Sequence, residues 1–144
     1  MFSNDNSRTM KPTKVCPVVL RMGSEAEILA FRHPLAGLQL VKGTIEPDES
    51  PDDAALRELA EESGLVGAVV ASHLGVWNSD YEDQVWSFYL CEIANTLPDE
   101  WIHHTSDDGG HDFRFFWHPL SVSPTSEWHE VFHAALIFIR TALV

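Results

Sequence analysis

Positive charge is what this chain has least of. Nine Lys and Arg stand against 22 Asp and Glu in 144 residues, giving a formal net charge of −13. Neutralising a phosphate backbone takes clustered Lys and Arg, so the balance argues against nucleic acid as a partner. Carboxylates in such excess suit divalent cations instead. Cysteine is nearly absent as well. Cys16 and Cys91 sit in apolar strand-like runs at a spacing that fits no metal or redox motif, so they read as buried, reduced thiols of a cytoplasmic protein. No apolar run reaches the ~18–20 residues of a membrane-spanning helix, and a membrane is not an expected partner. The start, MFSNDNSRTMKPTK, lacks the apolar segment of a secretory signal. Residues 1–14 therefore read as a flexible N-terminal arm, and 15–144 as a single domain large enough to bury a core. Repeats and low-complexity tracts are missing too.

The remaining sequence alternates strand-like and helix-like patterns. KVCPVVLRM (14–22) is rich in β-branched residues and predicts a strand, with Pro17 marking an edge or a bulge. AEILAF (26–31) returns as its hairpin partner after a Gly23-Ser24-Glu25 turn. A short apolar run, 38–41, leads into Lys42-Gly43, and 43–49 reads as a loop. Residues 68–77 and 85–94 predict two paired strands around the polar turn NSDYEDQ. The stretch 95–111 reads as a long loop, and 113–117 as an aromatic strand. Residues 126–144 place Trp128, Val131, Phe132, Ala135, Leu136, Ile139 and Leu143 on one face of a helix that packs on the core.

A second helix lies between. Ser50 at the N-cap and Pro51 at the first helical position start it, and Asp52 and Asp53 suit the positive end of its dipole. Gly64 ends it. Ala55, Leu56, Leu59 and Ala60 share the side that packs on a sheet, while Glu58, Glu61 and Glu62 share the other. Carboxylates one turn apart repel by a few tenths of a kcal/mol per pair. That repulsion turns into affinity when a hard cation such as Mg²⁺ takes oxygen ligands from them, usually together with waters and substrate phosphates.

Gly43, Glu49, Arg57, Glu58, Leu59, Glu61, Glu62, Gly64 and Leu65 occupy every fixed position of the pattern GX5EX7REUXEEXGU, with U a bulky aliphatic residue. In this the chain resembles the Nudix hydrolases. The resemblance implies an α/β fold, an α/β/α sandwich around a central mixed β-sheet. It also implies hydrolysis of a diphosphate bond in a nucleoside diphosphate linked to another group. The metal would be Mg²⁺, with Mn²⁺ able to substitute. Glu58, Glu61 and Glu62 would be ligands, joined by the Gly43 carbonyl, and Arg57 would orient a carboxylate, Glu49 being the candidate. Many members of the family dimerise, so a homodimer is a candidate assembly.

The substrate is a separate question. Lys42, just before Gly43, reads either as a phosphate contact or as a strand-end lysine, and the Lys-Gly pair is similar to that of hydrolases of diadenosine and diphosphoinositol polyphosphates. Tyr81, sixteen residues past Leu65, resembles the marker of dinucleoside polyphosphate hydrolases and reads equally as a turn residue. Asp80 stands near where ADP-ribose hydrolases carry a proline. Arg32, His33 and Arg114 are further candidates for phosphate contacts, and Trp77, Trp86 and Phe88 for base stacking, although core packing explains the aromatics as well. Asp107, Asp108 and Asp112 could supply a catalytic base outside the pattern, Asp112 first. Besides a small nucleotide-type substrate of the dinucleoside polyphosphate kind, two alternatives stay open: a house-cleaning nucleoside triphosphate pyrophosphohydrolase, and a non-catalytic nucleotide sensor.

Overall fold

The computed structural model describes residues 10–106 and 109–144. The element order is β1 (Lys14–Met22), β2 (Ala26–His33), β3 (Gly37–Gln39), β4 (Gly43–Thr44), α1 (Pro51–Ser63), β5 (Val69–Asn78), β6 (Val85–Glu92), β7 (Trp101–Thr105), β8 (His111–Pro119) and α2 (Glu130–Ala142). One sheet runs β5-β6-β1-β2-β8-β7, with β3 added to β2 and β4 to β1. β1 and β6 pair in parallel, from Lys14↔Trp86 to Val19↔Cys91. The other strand pairs are antiparallel, so the sheet is mixed.

β1 organises this sheet by changing partners along its length. Its start pairs with β4 and its end with β2. Pro17 falls in the interval between, where only β6 lies alongside and a missing N–H is tolerated.

Alternation along the strands gives the sheet two apolar faces. Val18, Ile28, Ala30, Leu40, Trp86 and Phe88 pack with Val131, Phe132, Ala135, Leu136 and Ile139 of α2. Val19, Leu29, Phe31, Phe113, Phe115 and Trp117 face the other way, with Leu59 of α1. Val15 meets Ala54 and Ala55 near the start of α1. The result is the helix–sheet–helix sandwich expected from the sequence. Both cysteines are buried and reduced. Among the described residues no helix is long and apolar enough to cross a membrane.

Three boundaries differ from the sequence reading. Gly43 and Thr44 are paired to Val15 and Lys14 rather than looped. Part of the expected 95–111 loop is the strand β7, tied down by Trp101, which stacks on Phe115 at 5.2 Å and donates its indole N–H to the Ser63 carbonyl at 2.9 Å. The last helix begins at Glu130 instead of Ser126, because the preceding residues first bond to β3: Leu38 N–H to the Glu127 carbonyl, and His129 N–H to the Leu38 carbonyl. His129 then caps α2, its Nδ1 accepting from Val131 N–H at 3.2 Å. Ser50 stands at the N-cap of α1 in extended conformation but makes no side-chain cap bond. Its hydroxyl instead bonds the Asp52 carboxylate and holds that group below the usual range. Within the stretch read as the arm, Lys14 opens β1, and Thr13 is bonded through its N–H to Val85 and through its carbonyl to Ile45.

Candidate active site

Four glutamates gather around the guanidinium of Arg57, midway along α1. Arg57 forks onto Glu49, Nε to Oε2 at 2.7 Å and Nη2 to Oε1 at 2.9 Å. Its Nη1 reaches Glu58 at 2.8 Å and Glu61 at 3.1 Å, and Nη2 also donates to the Thr44 carbonyl at 2.9 Å. Glu46 stands at 3.8 Å from Nε. The loop before the helix is shaped to allow this. Asp48 adopts φ 64°, a left-handed turn, and the Glu46 N–H donates to Glu49 at 3.0 Å. Arg57 and that N–H hold the Glu49 carboxyl down to about 2, and the glutamates in return raise the Arg57 pKa further above its already high value.

Gly43 is a glycine because of Glu58. A methyl group at Gly43 would fall 1.9 Å from the Glu58 Cδ and 2.1 Å from its Oε2. Only a residue without Cβ lets the β4 backbone lie against that buried carboxylate. At the far end of the helix Gly64 has φ 81° and donates its N–H to Ala60. A side chain there would also meet the His103 ring at 2.8 Å; His103 Nε2 in turn donates to the Glu61 carbonyl at 3.1 Å.

Lys42, next to Gly43, has its own set of partners. Its Nζ lies 5.0 Å from the centre of the Trp86 ring and 5.9 Å from that of Tyr81, within cation–π range. It donates to Gln84 Oε1 at 3.3 Å. Burial lowers the Lys42 pKa, while the nearby Glu62 pulls it upward. Gln84, buried in the turn before β6, was not visible as a site residue from sequence.

Other expected residues are not brought to this place. Asp112 is bonded to His104 Nδ1 at 2.8 Å, both well exposed. It flanks Phe113, which faces α1, so Asp112 stands on the opposite face of the sheet. Arg32 and Arg114 are directly paired across β2 and β8 and line a shallow cavity of about 300 Å³ with Leu38, Glu100 and Phe116, on the face turned from α1. Asp107 and Asp108 lie outside the described residues. Trp86 and Phe88 are wholly buried core. A larger cavity, of about 780 Å³, opens at the opposite end of β1 from Gly43, between Val19–Met22 and Leu90–Leu97.

Among the described residues no three His, Cys, Asp or Glu side chains converge where they could hold a metal ion. Arg57 bonds an oxygen of Glu58 and one of Glu61. The donor set still suits a hard cation: carboxylates on successive turns of a helix, and a main chain that Gly43 allows to within contact of Glu58.

The family model described as NUDIX domain matches residues 10–136. The chain belongs to the Nudix family. Nudix hydrolase 25 of Arabidopsis thaliana is 26% identical over 92 residues, which are 52% of this chain and 53% of that protein. The match thus spans about half the length of this curated relative. Among solved structures, a C. elegans Ap4A hydrolase in binary complex superposes with a TM-score of 0.64 at 18% identity, over 90% of this chain and 97% of that one. An ADP-ribose pyrophosphatase from Streptococcus suis gives 0.62 at 16% identity, over 91% and 92%. At such identities the likeness is one of fold. Divalent metal ions are general to the Nudix family, and three glutamates of the GX5EX7REUXEEXGU pattern, Glu49, Glu58 and Glu61, are bonded to Arg57.

Proposed function

We propose that this Nudix protein is a Mg²⁺-dependent pyrophosphohydrolase that splits a phosphoanhydride bond in a nucleoside diphosphate linked to another group, with dinucleoside polyphosphates as the preferred class. The observation that carries the reading is the Arg57 cluster, in which three carboxylates are bonded to one guanidinium with Glu58 pressed against Gly43. Glu58, Glu61 and Glu62, with the Gly43 carbonyl, would hold the Mg²⁺ or Mn²⁺ ion. When bound, that ion neutralises phosphate oxygens and makes water a stronger nucleophile at neutral pH.

The chain's own groups divide the remaining work. Glu49 has both oxygens on Arg57 and a pKa of about 2, so it is too weak a base to take a proton and serves to hold the guanidinium. Arg57 orients Glu58 and Glu61. Glu61 is half-exposed with one oxygen on Arg57, which leaves its other oxygen either for the ion or, as base, for a proton of the attacking water. Lys42 supplies positive charge to the phosphate chain, and the Tyr81 ring beside it offers a surface for a base. The pairing of Lys42 with Tyr81 supports the dinucleoside class over simple triphosphates.

Glu62→Gln removes a ligand oxygen's charge at nearly constant volume. Assayed with Mg²⁺ on dinucleoside polyphosphates, nucleotide sugars and nucleoside triphosphates, the variant is expected to lose turnover. Unchanged turnover would refute the proposal. Product analysis sharpens it: release of a mononucleotide from a dinucleotide supports the class named here, and pyrophosphate from a triphosphate supports the house-cleaning alternative.

A further inference from the structure

Gln84 is an uncharged side chain 9% exposed, placed between a buried indole and a half-buried ammonium. Its Oε1 accepts from Trp86 Nε1 at 2.9 Å and from Lys42 Nζ at 3.3 Å. The Trp86 bond fixes the orientation of the amide, because the indole is wholly buried and can only donate. The main chain of Gln84 is fixed too. Its N–H donates to the Tyr81 carbonyl, and its carbonyl accepts from the N–H and the hydroxyl of Ser79. The turn that achieves this holds Asp80, Glu82 and Asp83 at φ between 49° and 58°, a conformation costly for residues other than glycine. The same turn presents Tyr81, whose ring meets His129 edge-on at 5.2 Å. Tyr81, Gln84 and Trp86 therefore form a preformed bracket, and the Lys42 ammonium is what it holds.

The chemistry of the bracket matters. A neutral carbonyl and two aromatic faces attract an ammonium without cancelling its charge. One of the three N–H groups goes to Gln84, an acceptor that carries no charge of its own. Glu62, close enough to raise the Lys42 pKa, would compete for an untethered lysine and cancel a charge each group needs elsewhere. We infer that Gln84 is a positioning residue for substrate binding: its amide oxygen, oriented by Trp86, keeps the Lys42 ammonium over the aromatic bracket as an uncancelled positive charge for the substrate's phosphate chain. This rests on the reading above that Lys42 meets a substrate phosphate.

The test is steady-state kinetics on the full chain at saturating Mg²⁺, using whichever member of the nucleotide panel is turned over best, with the melting temperature of each variant measured alongside. Lys42→Met is expected to raise KM about tenfold with kcat little changed, as loss of uniform binding does. Gln84→Met is expected to raise KM by roughly three- to tenfold with the same pattern. The double variant should bind no worse than Lys42→Met alone, because both changes remove one contribution. Gln84→Glu keeps the acceptor for Trp86 but neutralises the ammonium, so its KM should rise while its melting temperature stays near that of the parent. Multiplying effects in the double variant, or a Gln84→Glu protein with the parent's KM, would overturn the inference. If Glu62→Gln abolishes turnover while Lys42→Met leaves KM unchanged, the hydrolase reading stands and the role of Gln84 falls. If Glu62→Gln changes nothing, the hydrolase reading fails and takes this inference with it.

Discussion

Arg57 and Arg32 are each bonded to a glutamate at under 3 Å, to Glu49 and Glu127 respectively, yet their surroundings differ throughout. The Arg57 side chain is 23% exposed and Glu58 beside it 9%, whereas Arg32 and Glu127 are 48% and 57% exposed. Arg57 uses a forked pair, two further carboxylates and a main-chain carbonyl; Arg32 uses one nitrogen. A guanidinium fork matched to a carboxylate in partly dry surroundings is strong and directional. A single exposed contact gains little over water. The comparison separates an ion pair that orders a site from one that decorates a surface, and each substitution below tests one side of it.

The largest effect is expected from Arg57→Met. It leaves Glu58 buried with a lost partner and frees Glu49 and Glu61 to repel. Stability should fall by about 2 kcal/mol or more, read as a lower denaturation midpoint, and activity by roughly 10–100-fold, the usual loss when a group orienting metal ligands is removed. Arg57→Lys should recover less than half of either loss, since an ammonium cannot fork. Full recovery by lysine would mean that charge alone suffices.

Gly43→Ala comes next. The added methyl has no room beside Glu58, so either β4 or the carboxylate must move. Overpacking of this kind costs about 1–3 kcal/mol, and displacement of Glu58 should lower divalent-cation affinity, measurable by Mn²⁺ titration without any substrate. A variant with parental Mn²⁺ affinity would show that the close approach of Gly43 and Glu58 is incidental.

Much of this arrangement was legible in the sequence, and the illegible part has a common cause. Pro51, Gly64 and the spacing of Glu58, Glu61 and Glu62 act within a few residues, so the helix and its acidic side could be read directly. The faces of strands depend on register. Asp112 looked available for chemistry, but alternation with Phe113 sends it to the far face, beside His104. β7, reading WIHHT, carries two histidines at positions that look polar, and it is a strand through its pairing with β8, which sets Trp101 on Phe115. Gln84 gave no signal because its role depends on Lys42, 42 residues earlier, and on the orientation that the Trp86 indole, two residues on, gives its amide.

The pH dependence of stability offers a smaller test. The Glu49 carboxyl ordinarily titrates near 4.5 and is held at about 2 in the fold. A lowered carboxyl pKa contributes stability that is fully present above the unfolded value and is lost as pH falls through the folded one. Melting temperature should therefore drop as pH goes from about 5 towards 2, and Glu49→Gln should flatten that slope while lowering the plateau above pH 5. An unchanged slope would show that other carboxylates set the acid limit.

The smallest effect belongs to the surface pair. Glu127→Ala removes a charged partner of Arg32 while leaving the Glu127 carbonyl, which accepts from Leu38 N–H, in place. Exposed single-contact pairs contribute about 0–1 kcal/mol, and 0.1 M salt screens what remains. The melting temperature should move by no more than about a degree or two, activity not at all, and the small shift should vanish in 1 M NaCl. Arg32 also faces Arg114 across β2 and β8, and like charges in that position repel. Removing Glu127 should expose this repulsion, so Glu127→Ala combined with Arg114→Gln should be more stable than Glu127→Ala alone. A loss of activity in Glu127→Ala comparable to that in Arg57→Met would place the Arg32 side of the sheet in the working site and erase the distinction between the two arginines.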